Sequence, residues 1–386
     1  MKKICFQLYP SNISSETRIK KISGTLIRKG VYDRVYILGI AENDLPTIER
    51  LGRNIYVIRA QFNKRINLPA FIMKLVKFFM YFLTIMHVLK RIGSQNIYVH
   101  CRTLSVSLIS IILKIRFGAI LIYDVHELES EVASSGRFKK YLLRYLENRV
   151  IHRFDGHIFV TDSIRDFYHN KYGVDGICIE NYCEECAPSK ACIQTVEELL
   201  SNIPSVGMIN LLYSGMLVPN RGVEELLQAA STLEKQYNFI FVGEGPLENL
   251  VLESARNCNN VFLLKMQKQS VYQEVVRRMD VVVALANSPA LSYQFSLPNK
   301  FIDGANAGKI LLASDIPEQR KIVQRFENGL LVSKVTKEKL LLALTDINQQ
   351  YERLSDKAAS THGLFEWSKL ENRLARYLKS LDQTIC

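Results

Sequence analysis

Proline and glycine are scarce in this sequence, 10 and 19 among 386 residues, and it holds neither an internal repeat nor a low-complexity run. With 48% hydrophobic and 23% charged residues, that excludes a disordered or fibrous chain. A secretory h-region is also missing: the opening MKKICFQLYPSN carries two lysines, but Gln7 and Pro10 break its apolar run. Export by a signal peptide is not expected. The eight cysteines lie mostly in apolar segments, as reduced buried thiols do in a cytoplasmic protein. Cys183 and Cys186 form a C-x2-C pair near Cys178 and Cys192, yet no second pair follows, and the nearest histidine, His169, lies upstream on a predicted helix. Buried thiols therefore explain the cluster better than zinc, and no metal or resident cofactor is expected.

Positive charge is in surplus. Fifty basic against 38 acidic side chains leave +12, which suits an anionic partner: a membrane surface, a phosphorylated substrate or nucleic acid. Nucleic acid fits least, because there is no zinc-finger spacing and no basic and aromatic interleaving outside residues 68 to 92. That stretch, from Leu68 to Ile92, is the longest apolar run, but Lys74 and Lys77 leave only about a dozen uncharged residues after them. It reads as too short to span a bilayer. A helix with Phe71, Phe78, Phe79, Tyr81 and Phe82 beside Lys74, Lys77, Lys90 and Arg91 suits either the headgroup region of an anionic leaflet or a core position with a basic rim.

The length predicts two α/β domains. From residue 3 to 180, short apolar runs (ICFQLY, VYILGI, NIYVIRA, NIYVH, AILIYD, GHIFV, ICIE) alternate with amphipathic stretches, the pattern of a parallel sheet wrapped by helices. Residues 182–206 lose the rhythm and carry Pro188 and Pro204, so a first domain over 1–181 and a connection over 182–206 are expected. INLLYSG, FIFVG, NVFLLK, VVVAL, KILLAS and GLLV then mark a second domain over 207–351, and 352–386 reads as closing helices. Ligands of doubly wound sheets bind at the carboxyl ends of the strands.

Four such strand ends carry useful groups. The first strand of the second domain runs through Gly215 to Arg221 and Gly222 at a helix start, where a cation and free N–H groups make a diphosphate site, or where the glycines merely turn the chain. The next ends in Gly243-Glu244-Gly245-Pro246, a weak glycine-rich signal. The richest segment follows VVVAL: Leu297 and Pro298 open a helix, Lys300 adds charge in its first turn, and Asp303 lies a turn further on. A carboxylate there suits two ribose hydroxyls, or simply an i,i+3 pair with Lys300. In the first domain, Asp124-Val125-His126-Glu127 at a strand end offers His126 as a base or hydroxyl ligand. Arg18, early in the first long helix, suits an anionic acceptor or donor phosphate, or a solvated helix face.

YSG followed by RGVEELLQA, then FVGEGP, SLPNKFIDGANAGKILLASDIPEQ and ENGLLV, in this order and spacing, resemble the donor-binding domain of glycosyltransferase family 4. SSETRIKKISGTLIRKG, YDVHELESE and RFDGHIFVTDSIRDFY resemble the matching parts of its first domain, so the likeness covers roughly residues 3 to 335. It implies the GT-B fold, two Rossmann-like doubly wound domains facing a central cleft. It also implies donor binding at Gly215, Arg221, Gly243, Glu244, Leu297, Pro298, Lys300 and Asp303, with Arg221 on the diphosphate, the backbone around Leu297 and Pro298 and the Lys300 charge near the phosphates, Asp303 on the ribose, and His126 near the transferred sugar. Arg18 and Glu127 fall on the acceptor or phosphate side. Three positions depart from the family pattern: Phe295 replaces the first Glu of Glu-x7-Glu, Asp303 shortens the second, and Met216 replaces an Arg.

The implied activity is transfer from a UDP- or GDP-sugar to a lipid-linked saccharide in capsule, O-antigen (lipopolysaccharide) or exopolysaccharide synthesis, with anomeric retention. The absence of Asp-x-Asp fits a metal-independent route. The expected location is cytoplasmic, peripheral on the inner face of the plasma membrane. A sugar-nucleotide epimerase of the same fold and a non-catalytic degenerate subunit are the alternatives.

Overall fold

Both sheets are built from strands buried on two faces, which is why their sequences read as continuous Val, Ile, Leu and Tyr runs without polar alternation. The structure, a computed structural model, describes residues 2–14, 16–41, 45–61, 69–93, 96–131, 136–184, 186–204 and 207–385. Two compact units emerge, Met1–Glu180 with Leu370–Cys386, and Asn181–Lys369.

The first unit runs β1 (Lys3–Leu8), α1 (Thr17–Arg28), β2 (Arg34–Ile40), β3 (Ile48–Gly52), β4 (Ile55–Ala60), α2 (Ala70–Ile92), β5 (Asn96–Cys101), α3 (Ser107–Phe117), β6 (Ile120–Val125), α4 (Arg137–Val150), β7 (Gly156–Phe159), α5 (Asp162–Tyr172) and β8 (Ile177–Cys178). The strands form one sheet in the order β3-β4-β2-β1-β5-β6-β7-β8. All pairs are parallel except β3 with β4, an antiparallel edge that sequence periodicity did not reveal. Connections that move from β1 to β2 and back from β4 through β5 and β6 to β7 reverse direction, so right-handed crossovers put α1 on one face and α2, α3 and α4 on the other.

The apolar run read as too short to cross a bilayer is in fact one continuous helix, α2, and Ile72–Ile92 is long and apolar enough to do so. Its start at Leu68 lies outside the described residues. The helix nevertheless lies along the sheet: Tyr81, Ile85, Val88 and Leu89 are buried, and the Tyr81 hydroxyl donates to the Leu38 carbonyl at 2.9 Å. Helix-on-sheet packing accounts for one stripe of α2 only.

The second unit runs α6 (Lys190–Leu200), β9 (Ile209–Ser214), α7 (Val223–Ala230), β10 (Tyr237–Val242), α8 (Glu248–Asn257), β11 (Val261–Leu264), α9 (Gln269–Arg277), β12 (Val281–Ala284), α10 (Leu291–Gln294), α11 (Asn299–Asn306), β13 (Ile310–Ser314), α12 (Pro317–Phe326), β14 (Gly329–Val332), α13 (Lys337–Gln349) and α14 (Tyr351–Ala359). Its sheet is wholly parallel, in the order β11-β10-β9-β12-β13-β14. The segment 182–206, expected as a connection, is part of this unit: Ser189 caps α6 by accepting from the Cys192 amide at 3.2 Å, and Val196 is buried in the core beside Val275 and Val276. The closing stretch is divided. α14 belongs to the second unit, whereas α15 (Ser368–Ile385) packs on the first, with Leu374 and Leu378 buried and the Tyr377 hydroxyl accepting from the His157 amide at 2.9 Å.

Candidate active site

In the second unit the strand order turns at β9, with β10 on one side and β12 on the other, the switch point where open α/β sheets bind ligands. Gly215 follows β9 with φ +113°. A Cβ on Gly243, at the end of β10, would lie 1.9 Å from the Gly215 carbonyl oxygen, so these two loops touch through bare backbone. Glu244 is exposed, and its carbonyl accepts from the Leu217 amide at 2.9 Å, which ties the two loops together. Leu297 is half-buried against the core below, and Pro298 caps α11, whose first turn leaves backbone N–H groups without intrahelical acceptors.

Lys300, in that first turn, is the most unusual group here. Its stem reaches the surface while its Nζ is buried without a hydrogen-bond partner, 3.8 Å from the centre of the Tyr213 ring. Burial, and to a lesser degree the Arg221 cation, push its ammonium down to about 7. Arg221 also has a buried unpartnered Nε, and its guanidinium carbon lies 5.9 Å from the Tyr293 ring. Two like charges are thus held together over aromatic faces, an arrangement that an anion stabilises and water is poorly placed to. Met216 is exposed and its carbonyl accepts from the Tyr213 hydroxyl at 2.9 Å, so it helps fix the ring beneath Lys300. Sequence reasoning weighed the cations and missed this aromatic floor. A tyrosine in a strand carries no sign of which face it serves.

Asp303, half-buried on α11, is not in the i,i+3 pair with Lys300 that is the alternative to ribose binding, since the Lys300 Nζ is unpartnered. Tyr272 is hydrogen-bonded to it, and the same hydroxyl lies 2.9 Å from the Ser214 Oγ. The carboxylate is thereby oriented by a buried tyrosine, another partner without a sequence signal.

In the first unit the sheet turns at β1 and β5, and the strand ends there hold a buried charge network. Asp124 is fully buried; it accepts from Arg18 Nη2 at 2.9 Å and from Arg102 Nη1. Burial pushes the Asp124 carboxyl up, but the two guanidiniums outweigh it and hold the group well below the usual carboxylate range. Arg102 also donates twice to Gln7 Oε1, at 2.9 and 2.7 Å. Arg18 is not solvated: it is 7% exposed, bound to Asp124, and donates to the Ile179 carbonyl at 2.8 Å, while its Nε is buried without a partner. The solvated helix face weighed for Arg18 is corrected on that ground. Its partners lie 106 and 161 residues away, so no local pattern could reveal them.

His126 stands just beyond this network. Its Nδ1 is buried and unpartnered, its ring meets Tyr9 edge-on at 5.8 Å, and burial together with Arg102 outweighs Asp124 to lower its basicity. A neutral imidazole results at physiological pH. Glu127 is exposed, whereas Glu129 is drawn inward, accepts from the Leu104 amide at 3.1 Å, and is pushed up by burial to about 8. A cavity of about 1110 Å³ lies elsewhere, beside α2 and over β1, β2 and β4, lined by Ile4, Arg34, Tyr36, Arg59, Met80 and Lys90 among others. It contains none of these strand-end groups.

Residues 209–349 match the family described as glycosyl transferases group 1. No curated protein matches the chain. Solved structures do: sucrose-phosphate synthase from Thermosynechococcus elongatus superposes with a TM-score of 0.79 at 16% identity, covering 100% of both chains. Anabaena HepE in complex with UDP-glucose gives 0.69 at 14%, covering 98% of this chain and 100% of that one. WaaG, a glycosyltransferase involved in lipopolysaccharide biosynthesis, gives 0.65 at 14%, covering 97% and 99%. Two parallel-sheet units with such neighbours define the GT-B fold. Within that fold, residues 209–349 carry the part of the chain that is similar to glycosyl transferases group 1.

Proposed function

We propose that this protein transfers a sugar from a UDP- or GDP-linked donor to a lipid-linked saccharide in cell-surface polysaccharide assembly, as a retaining, metal-independent enzyme of family 4. The observation that carries the reading is the pair of buried, unpartnered donors, Lys300 Nζ and Arg221 Nε, at the switch point of the second sheet. Departure of a nucleoside diphosphate leaves the bonding electron pair on the β-phosphate oxygen and adds a negative charge to a diphosphate that already carries two, and preorganised cations are worth most where they meet charge as it develops. Lys300, Arg221 and the first N–H groups of α11 supply that stabilisation. Gly215 and Gly243 let backbone approach the phosphates, and Asp303, set by Tyr272, takes the ribose hydroxyls. His126, neutral and with Nδ1 free, serves as a hydroxyl ligand of the transferred sugar, with Glu127 on the acceptor side.

HepE was solved with UDP-glucose and WaaG acts in lipopolysaccharide biosynthesis, which supports a nucleotide-sugar donor and a surface glycan for this chain. A peripheral location on the cytoplasmic face of the plasma membrane is supported by the exposed apolar residues of α2, among them Leu75, Phe79 and Leu83. The deciding experiment offers the purified protein a panel of UDP- and GDP-sugars with membrane lipid extract as acceptor. Nucleotide release that needs the extract, and falls about 100-fold or more in Arg221→Ala, is expected. Interconversion of the donor sugar without an acceptor would replace the reading with an epimerase, and neither turnover nor nucleotide binding would leave a degenerate subunit.

A further inference from the structure

The apolar surface of this protein is unevenly placed. Among the described residues, 13 of the 21 exposed large hydrophobic residues lie on α2, α3 and α4. On α4 they are Phe138 (80% exposed), Tyr141 (69%), Leu142 (54%) and Tyr145 (51%), at i, i+3, i+4 and i+7, the spacing that normally marks the buried stripe of a helix. The inner side of α4 is occupied instead by Glu147 and Val150 with the half-buried Leu143 and Leu146, and Glu147 is held there by Ser130, Tyr168 and Tyr172. α3 repeats the pattern with Leu108, Ile112 and Ile115, all exposed, while Ile109 and Leu113 face the sheet.

Charge follows the same surface. The three helices hold eleven lysines and arginines and one acid, the buried Glu147, a net of +10 against +12 for the whole chain. Lys114 and Arg144 are paired with Asp155 and Glu131 from neighbouring segments, which still leaves the face strongly positive.

We infer that the face formed by α2, α3 and α4 docks on an anionic lipid bilayer, with Phe138, Tyr141, Leu142 and Tyr145 as the edge that enters the headgroup layer. This deepens the membrane placement proposed above and rests on it. Aromatic rings flanked by Arg137, Lys139 and Arg149 match the apolar boundary and the anionic headgroups at once. A second copy of this chain fits badly, because two such positive faces repel each other. The α4 stripe, more exposed than that of α2, is where the apolar contact concentrates.

Vesicle flotation of the full chain tests this, using phosphatidylcholine alone and phosphatidylcholine mixed with phosphatidylglycerol. The protein is expected to float only with the anionic vesicles, in a salt-sensitive way. The triple variant Phe138→Ser, Tyr141→Ser, Leu142→Ser should bind about tenfold more weakly, whereas Leu342→Ser, an exposed leucine of the second unit, should not change binding. Phe138→Trp keeps the apolar edge and should show a blue-shifted emission on anionic vesicles. If the wild type floats and the triple variant floats equally, the α4 surface is wrong while the membrane placement stands. If the wild type binds no anionic vesicle, both fall. A dimer in solution that the triple variant dissociates would assign the face to a second copy and overturn the proposal.

Discussion

Lys300 holds an ammonium group in a place that disfavours it, with no acceptor and Arg221 close by. Folding lowers its pKa from the ordinary lysine value to about 7, so the unfolded chain binds more protons between those limits. Stability contributed by this site is therefore reduced below about pH 7 and recovers as pH rises above it. Lys300→Met should raise the melting temperature at slightly acid pH by on the order of 4 °C, measured by calorimetry, while weakening donor binding. In the wild type, affinity for a UDP-sugar should fall as pH rises through about 7, and Lys300→Met should flatten that profile in titration calorimetry. A profile that is flat in both would remove Lys300 from the phosphate site. Lys300 and Arg221 were legible because each sits at a helix start, where charge and free N–H groups coincide. Arg18 looked equally suitable. Its position is decided by Asp124, a partner more than 100 residues distant that only folding brings near.

At the scale of elements, the loops after β9 and β10 depend on backbone meeting backbone. The Cβ that Gly243→Ala adds would meet the Gly215 carbonyl oxygen, which no rotamer change relieves, so β9 and β10 would have to part at their carboxyl ends. A loss of about 2 kcal/mol or more is expected, read as a lower melting temperature together with weakened donor binding. Gly136→Ala, at a position with ordinary backbone and open space, should leave both unchanged. The glycine pair was visible in the sequence as YSG and FVGEGP, but the reason for it was not, since the contact joins two strands that are neighbours only through β9 and β10 pairing. All six strands of the second sheet were read correctly from apolar runs, because strands buried on both faces leave the plainest signal. β3, a short edge strand with an exposed Ile48, left none.

For the whole molecule, α15 is the element that crosses from one unit to the other. It follows the second unit in sequence yet buries Leu370, Leu374, Ala375 and Leu378 in the first, where Glu371 also pairs with Arg28 and Lys29. Burying each leucine is worth about 1.5–3 kcal/mol, comparable in sum with the stability of an ordinary domain. A chain ending at Lys369 should therefore lose the fold of the first unit, seen as proteolysis within residues 1–180, while residues 181–369 stay resistant. Resistance throughout would show that α15 is dispensable.

Alternation of apolar and amphipathic segments by itself determined two parallel-sheet units, the order of nearly all their strands along the chain, and the helix starts that carry Arg221 and Lys300. These are local properties, fixed by period and by the chemistry of helix ends. Which stripe of a helix faces inward is not local. The sequence RFKKYLLRYLENRV carries apolar residues on two sides of α4 and period alone does not choose between them; the hydroxyls of Ser130, Tyr168 and Tyr172 hold Glu147 inward beside Leu143, Leu146 and Val150, and Phe138 and Tyr141 stay outside. The tertiary structure decided that orientation, as it decided the partners of Arg18 and Asp303, because each depends on contacts between residues far apart in the chain.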